Sequence, residues 1–122
     1  MSRNEQRLID YLLHIAEAIE RIHRYTEKID QAEFLTNQMT QDAVIRNFEI
    51  IGEASNNIEK HYPQFAIEHP ELPLAHAYQM RNAITHGYFQ IDLEIVWQTI
   101  QRDLHTFYNQ IQETLSKLDQ RS

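Results

Sequence analysis

The stretch Ala-Val-Ile-Arg-Asn-Phe-Glu-Ile-Ile at positions 43–51 is apolar on most sides when it is wound as a helix. A helix of that kind is buried among other helices, whereas a surface helix carries a single apolar stripe. We therefore predict a long helix in the middle of a bundle, capped by Thr36 or Thr40 and running to about Lys60. Gly52 falls inside it. A helical glycine costs about 1 kcal/mol relative to alanine, so we expect close approach of a neighbouring helix there.

The segment before this helix has the pattern of one long and one short helix. The first is predicted from about Asn4 to about Lys28, because its apolar residues step by four and three and form one stripe. That stripe consists of Leu8, Leu12, Ile15, Ile19 and Ile22. Asp30 followed by Glu33 has the form of a capping box, which predicts a short helix through Phe34 and Leu35.

The segment after the central helix contains a connection and two further helices. All three prolines fall within 61–73, which predicts a long connection. A helix resumes near Leu74 and runs to about His86, where Gly87 fits a left-handed C-terminal cap. Asp92 caps the last helix, whose stripe is long enough to pack on the first helix and on a second subunit. That stripe consists of Leu93, Val96, Ile100, Leu104, Phe107, Ile111, Leu115 and Leu118.

These elements predict an all-α fold, an antiparallel bundle of four to five helices, in a single domain spanning 1–122. The composition agrees, because 2 glycines and 3 prolines in 122 residues leave few helix breakers. The chain has no cysteine, which excludes disulfides, thiolate metal sites and a cysteine nucleophile. The N-terminus lacks the pattern of a signal peptide and no apolar run is long enough for a membrane span, so we expect a cytoplasmic protein.

The net charge of −7 argues against broad adhesion to nucleic acids, which requires a basic surface. A protein of this charge that acts on RNA needs a local cluster of cationic groups. Arg81 and His86 are the candidates, although five residues of regular helix separate their side chains by roughly 140°. His86 lies where the helix is expected to end, and it could turn toward a cleft there. Arginine binds phosphate oxygens with two hydrogen bonds, and histidine moves protons near neutral pH. The alternative is a surface arginine beside a helix-capping histidine.

Two further polar residues lie on the central helix. Arg46 belongs to a polar stripe with Asp42, and an ordinary solvated pair of these two is the simpler interpretation. Asn47 falls on the apolar side, where a buried amide needs hydrogen-bond partners that a polar active site could supply. We predict no metal site, because the remaining histidines lack the spacing of metal ligands. These are His14, His23, His61, His69, His76 and His105.

The residues Arg81-Asn82-x-x-x-His86-x-Tyr88 resemble the R-x-x-x-x-H-x-Y signature of the HepT toxins, which belong to the HEPN superfamily of helical nucleases. The stretch 41–54 is similar to a second block of HepT-like proteins, and 92–97 is similar to a third. The resemblance covers nearly the whole chain. The arginine–histidine core alone is a weak signal, whereas the three blocks in this order are specific.

The resemblance implies a HEPN-like homodimer whose two arginine–histidine motifs meet at the subunit interface and cleave RNA without a metal or other cofactor. It implies catalytic roles for Arg81 and His86, with Asn82 as a supporting residue. From their positions on the central helix we predict Arg46 and Asn47 as further supporting residues. The resemblance also implies a type VII toxin–antitoxin system, in which an MntA-like nucleotidyltransferase uses ATP to transfer AMP onto Tyr88. The substrate would be tRNA or mRNA.

Two other interpretations remain open from the sequence. Helical bundles of this kind also serve as the non-catalytic, substrate-binding partner subunit of a nucleotidyltransferase. The chain could also be a structural helical dimer, in which the motif is only the end of a helix and Tyr88 an ordinary loop tyrosine.

Overall fold

The computed structural model describes residues 2–86 and 92–121, and it confirms the all-α prediction. Seven helices and no strand occur in these residues, and five of the helices have ten or more residues. The helices are α1 (Arg3–Thr26), α2 (Gln31–Thr36), α3 (Gln38–His61), α4 (Pro63–Glu68), α5 (Leu74–His86), α6 (Leu93–Arg102) and α7 (Leu104–Arg121). None of the described helices has the length and apolarity needed to cross a bilayer.

Side-chain caps fix where several of these helices begin. Asp30 caps α2 as predicted, accepting a hydrogen bond from the backbone N–H of Glu33 at 2.9 Å. The predicted cap of α3 was wrong. Asn37 caps it, accepting from the N–H of Thr40 at 3.0 Å. Thr36 cannot serve, because it is the last residue of α2 and its hydroxyl donates back to the Ala32 carbonyl at 3.1 Å.

The number of helices exceeds the predicted four to five for two reasons. The connection 61–73 contains α4, which begins with Pro63, a residue whose fixed φ suits the first helical position. The predicted single last helix is divided at Asp103 into α6 and α7. This division lets α6 pack against α2 while α7 packs against α1. The stripe of apolar residues continues through Asp103, so the sequence did not predict the division.

The helix α3 is central, as the opening stretch predicted, and packs against α1, α2, α4 and α5. The predicted stripe of α1 is buried throughout. Two hydrogen bonds show that α1 and α3 are antiparallel. The Tyr62 hydroxyl, just after α3, donates to the Asn4 carbonyl at 2.7 Å. Arg21, late in α1, donates from Nε to Oδ1 of Asn47, early in α3, at 2.7 Å.

The helix α7 runs antiparallel to α1. Tyr108 donates its hydroxyl to Oε1 of Glu20 at 2.7 Å, and the His105 ring lies 6.4 Å from that of His23. The long stripe of α6 and α7 is buried or half-buried within the chain. Leu93, Leu115 and Leu118 are only partly buried, and the packing of the stripe on a second subunit stays a prediction.

The pair His23 and His105 makes the stability of the fold depend on pH. Burial, and then the charge of His105, lower the pKa of His23 below its ordinary 6.5. As the pH falls through 6.5, the unfolded chain protonates this imidazole before the folded chain does, so the folded state loses stability. Above that pH both states hold it neutral and the contribution is constant.

We expect the urea midpoint to fall less between pH 7.5 and pH 5.5 in His23→Gln than in the unaltered chain. His105→Gln should give an intermediate fall, because it removes the smaller cause and leaves the burial. The acidic side chains contribute equally to the change of the urea midpoint in all three proteins, so their contribution cancels in the comparison. Equal falls in all three would contradict this account.

Candidate active site

The side chain of Arg81 is positioned by the close approach of α3 and α5 at Gly52. A Cβ atom added to Gly52 would collide with Cβ and Cγ of Arg81 and would come within 3.0 Å of the Ala77 carbonyl oxygen. The absence of a side chain at Gly52 therefore lets Arg81 lie directly against the central helix. This confirms the sequence-based expectation that a neighbouring helix comes close at Gly52.

Two acceptors hold the Arg81 guanidinium. Nη1 donates to Oδ1 of Asn82 at 2.9 Å, and Nη2 lies 3.4 Å from Oε2 of Glu53. The Arg81 side chain is 26% exposed and that of Glu53 is 65% exposed, so water screens the ion pair. Such pairs contribute about 0–1 kcal/mol. A guanidinium has five N–H donors, so donors remain for an incoming anion.

Arg81 lines an open groove with a volume of about 380 Å³. Side chains of α1, α3 and α5 form it, and those with polar or aromatic groups are Tyr11, His14, Arg46, Glu49, Glu53, Asn57 and Arg81. Arg46, a predicted supporting residue, is thus in the same groove as Arg81. It pairs with Glu49 at 3.8 Å, one turn later in α3, and not with Asp42 as the simpler interpretation had it.

Asn47, the other predicted supporting residue of α3, does not line this groove. It is 4% exposed, donates from Nδ2 to the Ala43 carbonyl at 2.8 Å, and accepts from Nε of Arg21. Its buried amide therefore has its partners at the contact of α1 with α3 and does not line the Arg81 groove. The sequence indicated that this amide needs partners, but Arg21 is 26 residues away and its role follows only from the pairing of the two helices.

His86 is exposed and is the last residue of α5. The helix is regular through this position, so the angular separation from Arg81 persists, and the two side chains make no described contact within one chain. Asn82 is half-buried beside Arg81. The structure thus brings together Arg81, Asn82 and Arg46, and it leaves His86 and Asn47 apart from them. Gly87 and Tyr88 lie outside the described residues.

Five polar or aromatic groove residues were not recognised as site residues from the sequence, namely Tyr11, His14, Glu49, Glu53 and Asn57. Tyr11 only widens the apolar stripe of α1 in the sequence, His14 was considered only as a metal ligand, and Asn57 was not considered. Tyr11 and His14 are three apart and so share a face of α1. Antiparallel pairing places that face beside the later half of α3, where Asn57 lies. No group of three or more His, Asp or Glu side chains suited to a metal ion occurs in the described part of the chain.

The fold and the groove define a small all-α protein with an arginine-bearing polar groove between its helices. Comparison with known families shows which kind it is. The family described as ribonuclease HepT-like matches residues 15–114. The chain therefore belongs to the HepT-like ribonuclease family, which confirms the family predicted from its three sequence blocks.

Several curated proteins are similar to this chain. A protein of Thermococcus cleftensis named "Probable ribonuclease HepT" is 44% identical over 95 residues, covering 78% of this chain and 84% of the relative. A "Putative RNase" of Caldanaerobacter subterraneus subsp. tengcongensis is 31% identical over 107 residues, 88% of this chain and 93% of the relative.

A longer relative from Methanocaldococcus jannaschii is named "Gamma-glutamylcyclotransferase and putative RNase". It is 35% identical over 109 residues, 89% of this chain but 48% of the relative, so this chain spans about half of that protein. No solved structure matches the chain significantly.

Proposed function

We propose that this protein is a metal-independent endoribonuclease and the toxin of a type VII toxin–antitoxin system. One observation carries the proposal, namely that the motif arginine of a HepT-like ribonuclease lies in an open groove with donors to spare. Supporting it are the second arginine of the groove, Arg46, and the exposed position of His86 at the end of α5.

The proposed chemistry is attack of a ribose 2′-hydroxyl on the adjacent phosphate. The new P–O bond forms a 2′,3′-cyclic phosphate, and the bond to the 5′-oxygen of the next nucleotide breaks. His86 takes the proton of the 2′-hydroxyl, and the protonated imidazole then supplies a proton to the leaving 5′-oxygen. Arg81 binds the non-bridging oxygens and stabilises the added negative charge of the pentavalent phosphorus. Asn82 positions Arg81, to which it is hydrogen-bonded.

This chemistry requires a homodimer for a geometric reason. Within one chain Arg81 and His86 make no contact, and α5 is regular between them. A second copy can bring its exposed His86 to the Arg81 groove and so supply the missing imidazole. We therefore propose that the active site is shared between two subunits.

The charges in the groove favour selective over general binding of RNA. The cations Arg46 and Arg81 are each paired with a carboxylate, from Glu49 and Glu53 respectively. A phosphate that binds Arg81 competes with Glu53 for it, and the protein as a whole carries −7. We propose that the RNA substrate, which is tRNA or mRNA, binds through a few specific contacts.

A cleavage assay in EDTA tests the function directly. The purified chain should cut tRNA or mRNA at an undiminished rate in excess EDTA and leave 2′,3′-cyclic phosphate ends. Cleavage that is lost in EDTA and restored by a divalent ion would contradict metal independence. Absence of any cleavage by a preparation that binds a nucleotidyltransferase tightly would favour the non-catalytic partner subunit instead.

We further propose that an MntA-like nucleotidyltransferase neutralises the toxin by adenylating Tyr88. The phenolic oxygen attacks the α-phosphate of ATP, pyrophosphate leaves, and the phenol proton is released. The bound AMP adds bulk and an anionic phosphate two residues from His86, which opposes binding of an RNA phosphate.

Incubation with the partner and ATP should therefore add the mass of one adenylyl group per chain and abolish RNA cleavage. Tyr88→Phe should prevent the addition, whereas Tyr25→Phe, at an exposed tyrosine of α1, should not. Peptide mass spectrometry locates the modification. An adenylyl group on any other residue would contradict the assignment.

A further inference from the structure

The Arg81 groove has an aromatic side that the proposed chemistry does not use. Tyr11 contributes a half-buried ring, with the ring of His14 at 6.4 Å and an interplanar angle of 77°. On another side, the centroid of the Tyr62 ring lies 6.5 Å from that of Tyr11, with an interplanar angle of 67°. Both contacts are edge-to-face, so no ring of the described residues stacks in parallel on Tyr11. The Tyr11 ring is thus held by its neighbours and still lacks a stacked partner.

Asn57 adds an amide to the same groove. It is half-buried on α3, and its side chain makes no hydrogen bond with any part of the chain that the structure describes. A primary amide can donate two hydrogen bonds and accept two. This is the hydrogen-bonding capacity that matches the edge of a nucleobase.

The size and charge of the groove suit one nucleotide. Its volume of about 380 Å³ lies within the range of small-molecule sites, about 300–1,000 Å³. Arg46 and Arg81 offer guanidinium groups for phosphate oxygens. Proteins that bind unpaired nucleotides combine an aromatic ring for the base, polar groups for its edge and cations for the backbone. All three components occur in this groove.

We propose that Tyr11, with His14 and Asn57, forms the subsite for the base next to the cleaved phosphate. This inference rests on the ribonuclease proposal and names residues that determine its specificity. The base stacks on the Tyr11 ring, Asn57 hydrogen-bonds its edge, and Arg81 holds the neighbouring phosphate. A base can reach Tyr11 only after it leaves a duplex stack, so the subsite restricts cleavage to unpaired positions.

A double-mutant cycle between the protein ring and the RNA base tests this. The protein is the full chain carrying His86→Ala, so that bound RNA is not cut. The probe is fluorescein-labelled hexaadenylate, together with six versions that each lack one base, and anisotropy measures Kd. Stacking on an aromatic ring is worth a factor of about 5 to 150 in affinity. One abasic position should therefore weaken binding by about tenfold, and Tyr11→Ala should weaken binding of the intact probe similarly.

The energetic coupling between Tyr11→Ala and the loss of one base tests whether the ring and the base stack on each other. In Tyr11→Ala the same abasic position should cost nothing further, because the stacked pair is already lost. Tyr11→Phe should bind within about twofold of the parent, since the ring remains. Tyr25→Ala, on the same helix but outside the groove, should have no effect. His14→Ala removes the ring that packs edge-on against Tyr11 and should weaken binding severalfold. Because His14 is exposed, this second variant should fold even if Tyr11→Ala does not.

Each failure is distinct. If the abasic position weakens binding equally with and without the Tyr11 ring, or if the probe does not bind, the proposed subsite is wrong. In that case His86-dependent cleavage by the otherwise unaltered chain still supports the ribonuclease. Coupled binding without any cleavage supports the nucleotide subsite and contradicts the ribonuclease.

Discussion

His86→Ala should lower the rate of RNA cleavage by a factor of about 10² to 10⁴, the range that a positioned proton-transfer group contributes. Cells expressing the variant without antitoxin should grow normally. The fold should be unaffected, because His86 is exposed at the end of α5 and its side chain makes no described contact. Exposed substitutions of this kind change stability by about 0.5 kcal/mol or less. Cleavage of a labelled RNA and a urea titration measure the two effects separately.

His61→Ala is the matched control, since His61 is likewise an exposed histidine at the last position of a helix, α3. It should cleave at the parental rate. If both variants lose activity equally, or neither does, His86 has no catalytic role.

The same variant also tests whether the site is shared. His86→Ala and Arg81→Ala chains should each be inactive as homodimers. If Arg81 of one subunit works with His86 of the other, a mixed dimer retains one complete Arg81–His86 pair and should regain up to about half of the activity. If each chain works alone, mixing restores nothing, and the shared site is wrong.

Helix positions could be predicted from the sequence because they depend on local patterns. The 3.6-residue period of α1, the Asp30 cap of α2 and the bounds of α5 all follow from residues within one or two turns. The missed features depend on distant contacts or on weak local differences. The division at Asp103 leaves the apolar period intact, and it is recognisable only because α6 and α7 pack on different helices.

The candidate site shows the same limit. Arg81 and Asn82 are adjacent, so their hydrogen bond needed no long-range information. The aromatic side of the groove comes from Tyr11 and His14, far from Arg81 along the chain. It becomes part of the site only because α1 and α5 flank the same central helix. For the same reason Asn47 could be predicted to need a partner, but not that the partner is Arg21.

Gly52→Ala should destabilise the protein and also impair catalysis, although alanine is the better helix former. If the position were open, alanine would stabilise α3 by about 1 kcal/mol. Instead the added Cβ collides with the side chain of Arg81 near its base and approaches the backbone of α5, where no flexible chain end can move aside. Overpacking of this kind costs about 1–3 kcal/mol, so we expect a net loss of up to about 2 kcal/mol.

The catalytic effect follows from the same contact, because α3 and α5 can separate only by moving Arg81 within the groove. Displacement of a positioned group by about 1 Å costs on the order of a hundredfold in rate. Cleavage measured well below the unfolding midpoint should therefore fall by more than the unfolded fraction explains. Asn56→Ala, four positions later in α3, is the control for helix propensity and should retain both stability and activity. A Gly52→Ala chain that is more stable than the parent would show that the close approach of α3 and α5 does not determine the position of Arg81.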